Sequence, residues 1–218
     1  MSIEQIKITE QISYIKASEN PLSADVILVD GQEYLYVFDV GNNEQVAEYL
    51  NAIPKKKRVI LSHFHTDHMG NIGRVQWENV FFGANTEKYF QHYIPDYAAQ
   101  LTRYVTVFDT VTIQDGVSVE IHPVPNSHAK GSLLLQVNEE TIFIGDSLYS
   151  KVDGDTYVYN AQLLKEEIEL LKELPGNQIF SCHEARPIKA KAGVLRFLEQ
   201  IYAKREKNDA YIRVSRKE

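Results

Sequence analysis

The chain has 218 residues, 44% of them apolar, enough to bury a substantial core as a single domain over residues 1–218. Thirty acidic against 23 basic side chains give a formal net charge of −7, which argues against nucleic acid as a partner, and no apolar stretch approaches membrane-spanning length. A lone cysteine, Cys182, excludes an intramolecular disulfide, and the start Met-Ser-Ile-Glu-Gln-Ile-Lys lacks the pattern of a secretory signal, so a reducing cytoplasm is the expected setting.

In chain order, alternating segments predict a layered α/β arrangement without repeats. Ala24 to Asp30 and Glu33 to Asp39 read as a hairpin, with Asp30-Gly31 as the turn signal. Asn43 to Ile53 reads as a helix stopped by Pro54, and Lys55-Lys56-Lys57-Arg58 as an exposed loop leading into a strand from Arg58 to Ser62. Asn79 to Gly83 predicts another strand, followed by a helix from about Thr86 to Leu101 that breaks or kinks at Pro95. Arg103 to Val137 is rich in β-branched residues and predicts several antiparallel strands with a turn at Gly116. Ala161 to Leu174 is the clearest amphipathic helix, ended by Pro175-Gly176, and a last helix is expected from about Lys189 to Lys204. The tail from Arg196 to Glu218 carries seven Lys or Arg against four acids and reads as a solvated helix with a frayed end.

Chemistry concentrates at Ser62 to Gly70, where His-x-His-x-Asp-His places four candidate metal ligands in six positions. On an extended segment His63 and His65 project to the same side and reach one ion. Thr66 is a candidate helix cap, and a helix beginning there swings Asp67 and His68 toward a second ion. Three imidazoles with an open position suit zinc, while mixed carboxylate and imidazole ligands also admit iron or manganese. Further ligand types stand at His128, Asp146 and His183, each after a strand-like run: Val117 to Val124, Thr141 to Gly145 and Gln178 to Ser181. Layered α/β folds build sites past the carboxyl ends of strands, so four separate segments converge on one edge.

With Val-Phe-Asp-Val-Gly at 37–41, the motif at 63–68, His128, Asp146 and His183 in this order, the sequence resembles the metallo-β-lactamase superfamily over nearly its whole length. The resemblance implies a four-layer αββα sandwich of two mixed β-sheets flanked by helices. It further implies one metal held by His63, His65 and His128, a second by Asp67, His68 and His183, Asp146 bridging both, and Asp39 orienting the ligand loop. Antibiotic-hydrolysing members mostly carry Cys where Asp146 stands, and flavodiiron oxidoreductases an acid where His65 stands. The chain therefore looks like the bridging-aspartate group, which includes glyoxalase II-like thioesterases, lactonases, phosphodiesterases and an iron dioxygenase branch. Glyoxalase II enzymes usually add a helical C-terminal region that grips glutathione, for which this chain has room only in its last helix and tail.

The expected function is hydrolysis of a small ester, thioester or lactone at two divalent ions, most simply zinc, through a bridging hydroxide that Asp67 orients or relieves of its proton. Phosphodiester hydrolysis and oxidation of a thiol or persulfide at a single iron are the alternatives. Tyr149 is a candidate to polarise the substrate carbonyl, and Lys130 a candidate contact for an anionic group. Tyr89, Phe90, Tyr93 and Tyr97 are read as helix packing before an aromatic wall, Cys182 as a core residue, and His92 and His122 as bystanders.

Overall fold

The computed structural model describes residues 3–94 and 97–216. The N-terminal half supplies β1 (Gln5–Lys7), β2 (Ile12–Ile15), a ribbon of β3 (Ser18–Glu19) and β4 (Leu22–Ser23), and the hairpin β5 (Val26–Asp30) and β6 (Tyr34–Phe38). Helix α1 (Glu44–Ala52), β7 (Lys56–Ile60), the one-turn α2 (Thr66–Met69), β8 (Asn79–Phe82), α3 (Ala84–Phe90), a 3-10 segment (Tyr97–Arg103) and β9 (Tyr104–Thr106) follow. Seven of these strands form a mixed sheet in the order β1-β2-β5-β6-β7-β8-β9, parallel from β6 onward. The second half contributes β10 (Val111–Gln114), β11 (Ser118–Val124), β12 (Ser132–Val137), β13 (Thr141–Phe143), β14 (Lys151–Asp153), β15 (Thr156–Asn160), α4 (Ala161–Glu173), β16 (Gln178–Phe180), β17 (Ile188–Ala190), α5 (Lys191–Ala203) and β18 (Tyr211–Ser215). They make a six-stranded sheet, β10-β11-β12-β13-β16-β17, and a separate three-stranded sheet, β14-β15-β18.

The period-2 alternation of β-strands explains the layers. Ile27, Val29, Phe38 and Ile60 of the first sheet face Ile121, Leu133, Leu135 and Phe143 of the second. Their neighbours Val26, Leu28, Val37 and Val59 turn the other way, onto Val46 and Leu50 of α1 and Phe90 of α3. Leu134, Ile142 and Ile179 on the outer face of the second sheet meet Leu164, Ile168 and Leu171 of α4 and Val194 and Leu198 of α5. The result is the αββα sandwich, and β5 reads as an unbroken apolar run because both its faces are covered. Burying each such side chain contributes about 1.5–3 kcal/mol.

Local chemistry sets the helix ends. Asn43 caps α1 by accepting the Gln45 N–H, and Asn160 caps α4 by accepting those of Gln162 and Leu163. Thr66 is not the cap of α2: His65 occupies that position in extended conformation, with Thr66 as the first helical residue. No helix among the described residues is long and apolar enough to cross a membrane.

Several expectations need correction. The helix after β8 ends at Phe90, and the break foreseen at Pro95 lies outside the described residues. β9 pairs parallel with β8 in the first sheet, so the antiparallel run starts only at β10. The lysine run is not an exposed loop: Lys57 lies within β7, 5% exposed, its ammonium donating to the carbonyls of Ile53 and Lys55. Lys189 and Ala190 belong to β17, and the described part of the tail is not frayed, because β18 pairs with β15 from Asn160↔Tyr211 to Thr156↔Ser215 and buries Ile212.

Candidate metal centre

The four ligand segments leave the carboxyl ends of β7, β11, β13 and β16 and meet at one edge of the sandwich. The two sheets are joined there, where the Leu133 N–H donates to the Ser62 carbonyl at 2.7 Å. Gly145 makes the close approach possible: its φ is +53°, and a Cβ there would lie 2.8 Å from the Ser62 Cβ.

Asp39 organises the motif from beneath. It is fully buried and holds a left-handed backbone, φ +63°, that only surrounding bonds sustain in a non-glycine residue. Its Oδ1 accepts the Ser62 N–H and its Oδ2 the Ser62 hydroxyl and the His68 Nδ1–H, each at 2.7 Å. An ionised carboxylate only accepts, so the His68 proton sits on Nδ1 and Nε2 faces the site. Ser62 Oγ, having given its hydrogen to Asp39, accepts from His63 Nδ1 at 3.0 Å and turns that ring's Nε2 inward as well.

Two clusters that could each hold a metal ion meet at this edge. His63, His65, His128 and Asp146 form one; Asp67, His68, Asp146 and His183 form the other. In the first, His65 Nδ1 lies 2.9 Å from His63 Nε2 and 3.0 Å from His128 Nε2, which is 3.4 Å from Asp146 Oδ2. In the second, His183 Nε2 lies 3.1 Å from Asp67 Oδ2 and 3.4 Å from His68 Nε2, and His68 Nε2 is 3.4 Å from Asp146 Oδ1. Asp146 thus turns one oxygen to each set.

The donor chemistry fits cations. A tetrahedral site with bonds of about 2.0–2.1 Å has ligand-to-ligand edges of about 3.3 Å, close to these separations. Asp146 Oδ1 is buried without a hydrogen-bond partner, the kind of atom an ion would satisfy. Burial, reinforced by the neighbouring imidazoles, holds His63 well below the usual histidine range, and burial first of all also lowers His65 and His128, so all three stand ready as neutral ligands. On the protein groups alone, burial opposes a charge on His68, but Asp39 and Asp146 outweigh it and push the ring up to about 10. The hydrogen bond that His183 donates to Asp67 raises His183. Burial works against ionised Asp67 and Asp146 as well, yet the contact with His183 keeps Asp67, and that with His68 keeps Asp146, below the ordinary carboxylate range.

Two residues escaped sequence reasoning. Ser62 is one; a hydroxyl beside a histidine motif carries no spacing signal. Asp25 is the other: 2% exposed, it accepts the His183 N–H and the Ala17 N–H at 2.9 Å and so steadies His183, whose backbone is left-handed at φ +62°. Burial raises the Asp25 carboxyl. A single acid ahead of the apolar run of β5 was its only trace.

The remaining candidates separate. The Tyr149 hydroxyl donates to the Cys182 carbonyl at 2.7 Å, which revises the expectation that it polarises a substrate carbonyl; its ring stands 6.2 Å from that of His128 as a wall. Burial raises its phenol further from ionisation. Lys130 is exposed. Phe90 is core and Tyr97 stacks on Tyr104, but half-exposed Tyr89 stacks on Phe64 at 4.3 Å beside the ligand loop. Cys182 is buried, and His122 contacts Glu120 of its own strand and Thr110 just before β10.

The chain is similar to known proteins in sequence and in fold. A hydroxyacylglutathione hydrolase from Shewanella halifaxensis (strain HAW-EB4) is 27% identical over 154 residues, which cover 69% of this chain and 57% of that protein. The chain therefore matches little more than half the length of such relatives. A metallo-beta-lactamase from Pontibacter korlensis superposes with a TM-score of 0.65 at 18% identity, covering 90% of this chain and 97% of that one. An archaeal metallo-beta-lactamase superfamily protein from Sulfolobus tokodaii gives 0.64 at 18%, covering 93% and 90%. The sequence profile of the metallo-beta-lactamase superfamily matches residues 20–183, and the chain belongs to that superfamily.

Proposed function

We propose that this protein is a metal-dependent hydrolase that holds two divalent ions, zinc foremost with iron or manganese as alternatives, and cleaves a small ester, thioester or lactone. The observation that carries this reading is Asp146, whose two oxygens each complete a separate ligand set. The likeness to hydroxyacylglutathione hydrolase supports a thioester as the first substrate class to test.

His63, His65 and His128 would hold one ion, Asp67, His68 and His183 the other, and Asp146 both. Ions so held supply an acidified water and a Lewis acid for the carbonyl oxygen. The chain's own groups do the rest. Asp39 and Ser62 fix the imidazole tautomers, so that lone pairs face inward without reorganisation. Asp67, less buried than Asp146, would orient the attacking water and return a proton to the leaving group. Net charge of −7 favours a small substrate over a polyanion.

The test is turnover by the metal-loaded protein on thioester, lactone and bis-nitrophenyl phosphate substrates, with Asp67→Asn as the control. Carbonyl substrates should turn over best, and Asp67→Asn should lose about 10²–10⁴-fold in kcat while remaining folded. Unchanged turnover in that variant would sink the assignment; preference for the phosphodiester would favour the phosphodiesterase reading, and oxygen uptake with thiols at a single iron the oxygenase.

A further inference from the structure

The hairpin of β14 and β15 leaves a sheet edge open. The three-stranded sheet runs β14-β15-β18, so β14 has a strand on one side only. Its two-residue turn, Gly154-Asp155 with Gly154 at φ +59°, fixes which backbone groups lie on the other side. Asp153↔Thr156 closes that turn and is therefore a hydrogen-bonded pair, and bonded and non-bonded pairs alternate along an antiparallel ladder. Val152↔Tyr157 is then a non-bonded pair, and the Val152 N–H and C=O both point away from β15 to the open edge. Such an edge is a template for another strand.

The side chains of β14 say which strand fits. Lys151, Val152 and Asp153 are all exposed, Val152 by 50%. An antiparallel copy of the same strand centred on Val152 sets Lys151 of each chain directly opposite Asp153 of the other. Opposite charges so placed attract across the ladder, and the two-fold arrangement makes the pair twice. Lys151 has no ion pair among the described residues, and Asp153 meets only the exposed Arg213, at 3.0 Å. On the other face Val152 ends an apolar row, Val214, Tyr157, Val152, which a second Val152 would continue. The remaining edge strands of the larger sheets lack this self-complementarity. β1, β17 and β18 each carry a single sign of charge, β9 and β10 none, and a copy of β18 centred on Arg213 would set arginine against arginine.

We propose that this protein forms a symmetric dimer by antiparallel pairing of β14 with β14 of a second copy, giving one continuous sheet β18-β15-β14-β14-β15-β18. The Val152 N–H of each chain donates to the Val152 carbonyl of the other across a two-fold axis. That axis uses the same edge of both chains, so the assembly closes at two. The strand is short, which places the dimer among weak, concentration-dependent contacts burying less than about 1,200 Å². None of the candidate metal ligands lies in β14, so the dimer stands apart from the hydrolase reading.

The test is sedimentation velocity on the full chain at low salt, from about 5 to 500 µM, with circular dichroism as the check on folding. A reversible monomer–dimer equilibrium that weakens as salt is raised is expected. Lys151→Asp sets acid against acid twice per dimer and should weaken association by about tenfold or more. Combining Lys151→Asp with Asp153→Lys restores opposite signs in reversed order and should recover at least part of that loss. Val152→Pro removes the N–H aimed at the open edge, spares the bonds between β14 and β15, and should abolish the dimer in a folded chain. A chain that stays monomeric throughout overturns the proposal and leaves Lys151 and Asp153 as charges that blunt the edge. Association untouched by Lys151→Asp and Val152→Pro overturns it too, as do species that grow past two chains.

Discussion

Asp39 Oδ2 accepts the His68 Nδ1–H at 2.7 Å with both side chains completely enclosed, which makes a residue 29 positions upstream of His68 the anchor of its inward-facing nitrogen. The same carboxylate carries both Ser62 contacts, so one buried acid sets the orientation of His68 directly and of His63 through the serine.

Replacing it should therefore weaken metal binding without removing any ligand. Asp39→Asn keeps the shape but has a single acceptor oxygen and presents N–H groups where acceptors are needed. Zinc affinity measured by chelator competition should fall by about 10–100-fold. Wild-type affinity in this variant would mean that Asp39 is only a turn residue.

A second buried acid predicts a pH effect remote from the candidate metal centre. Glu167 is 3% exposed on the apolar face of α4, and burial raises its carboxyl well above the ordinary value of 4.5. A raised folded-state pKa means that the group's stabilising contribution is complete below about 4.5 and is lost as pH climbs through the folded value. Glu167→Gln should accordingly stabilise the protein at neutral pH by about 1–3 kcal/mol, the scale of an uncompensated buried polar group. The gain should vanish below about pH 4.5 in urea unfolding across pH. A gain that grew toward acid pH would contradict the account.

The last strand gives a packing prediction. Ile212 is 2% exposed among Tyr159, Leu164 and Val194 and their neighbours, whereas Tyr211 is 55% exposed. Ile212→Ala should cost about 2–4 kcal/mol in denaturant unfolding and Tyr211→Ala less than about 1. Equally small losses would restore the picture of a frayed end.

What was legible in the sequence follows from physical constraint. His63, His65, Asp67, His68, His128, Asp146 and His183 could be read as one cluster because a shared ion would restrict residue type and local spacing, and the structure brings them together at one edge. The hairpin at Asp30-Gly31 and the helices capped by Asn43 and Asn160 were readable from local rules. Ser62 and Asp25 were not, since their partners depend on backbone conformations at His68 and His183 that appear only in the fold. The tail misled because Tyr211 to Ser215 is a short alternating stretch among charges, and its pairing partner, β15, lies more than fifty residues earlier. Glu167 was hidden by its place in the amphipathic pattern of α4. Tyr149 has its ring 6.2 Å from that of His128, and its hydroxyl donates to the Cys182 carbonyl, a contact between segments 33 residues apart that no local rule foresees.

The most direct test of the central claim, that Asp146 joins two complete ligand sets, is the number of divalent ions per chain, measured by elemental analysis of protein purified without added metal or chelator and after zinc saturation. Two ions in the saturated protein, falling to one in His128→Ala, are predicted. Saturation at a single ion in the wild-type chain, whatever its identity, would contradict the two-ion account.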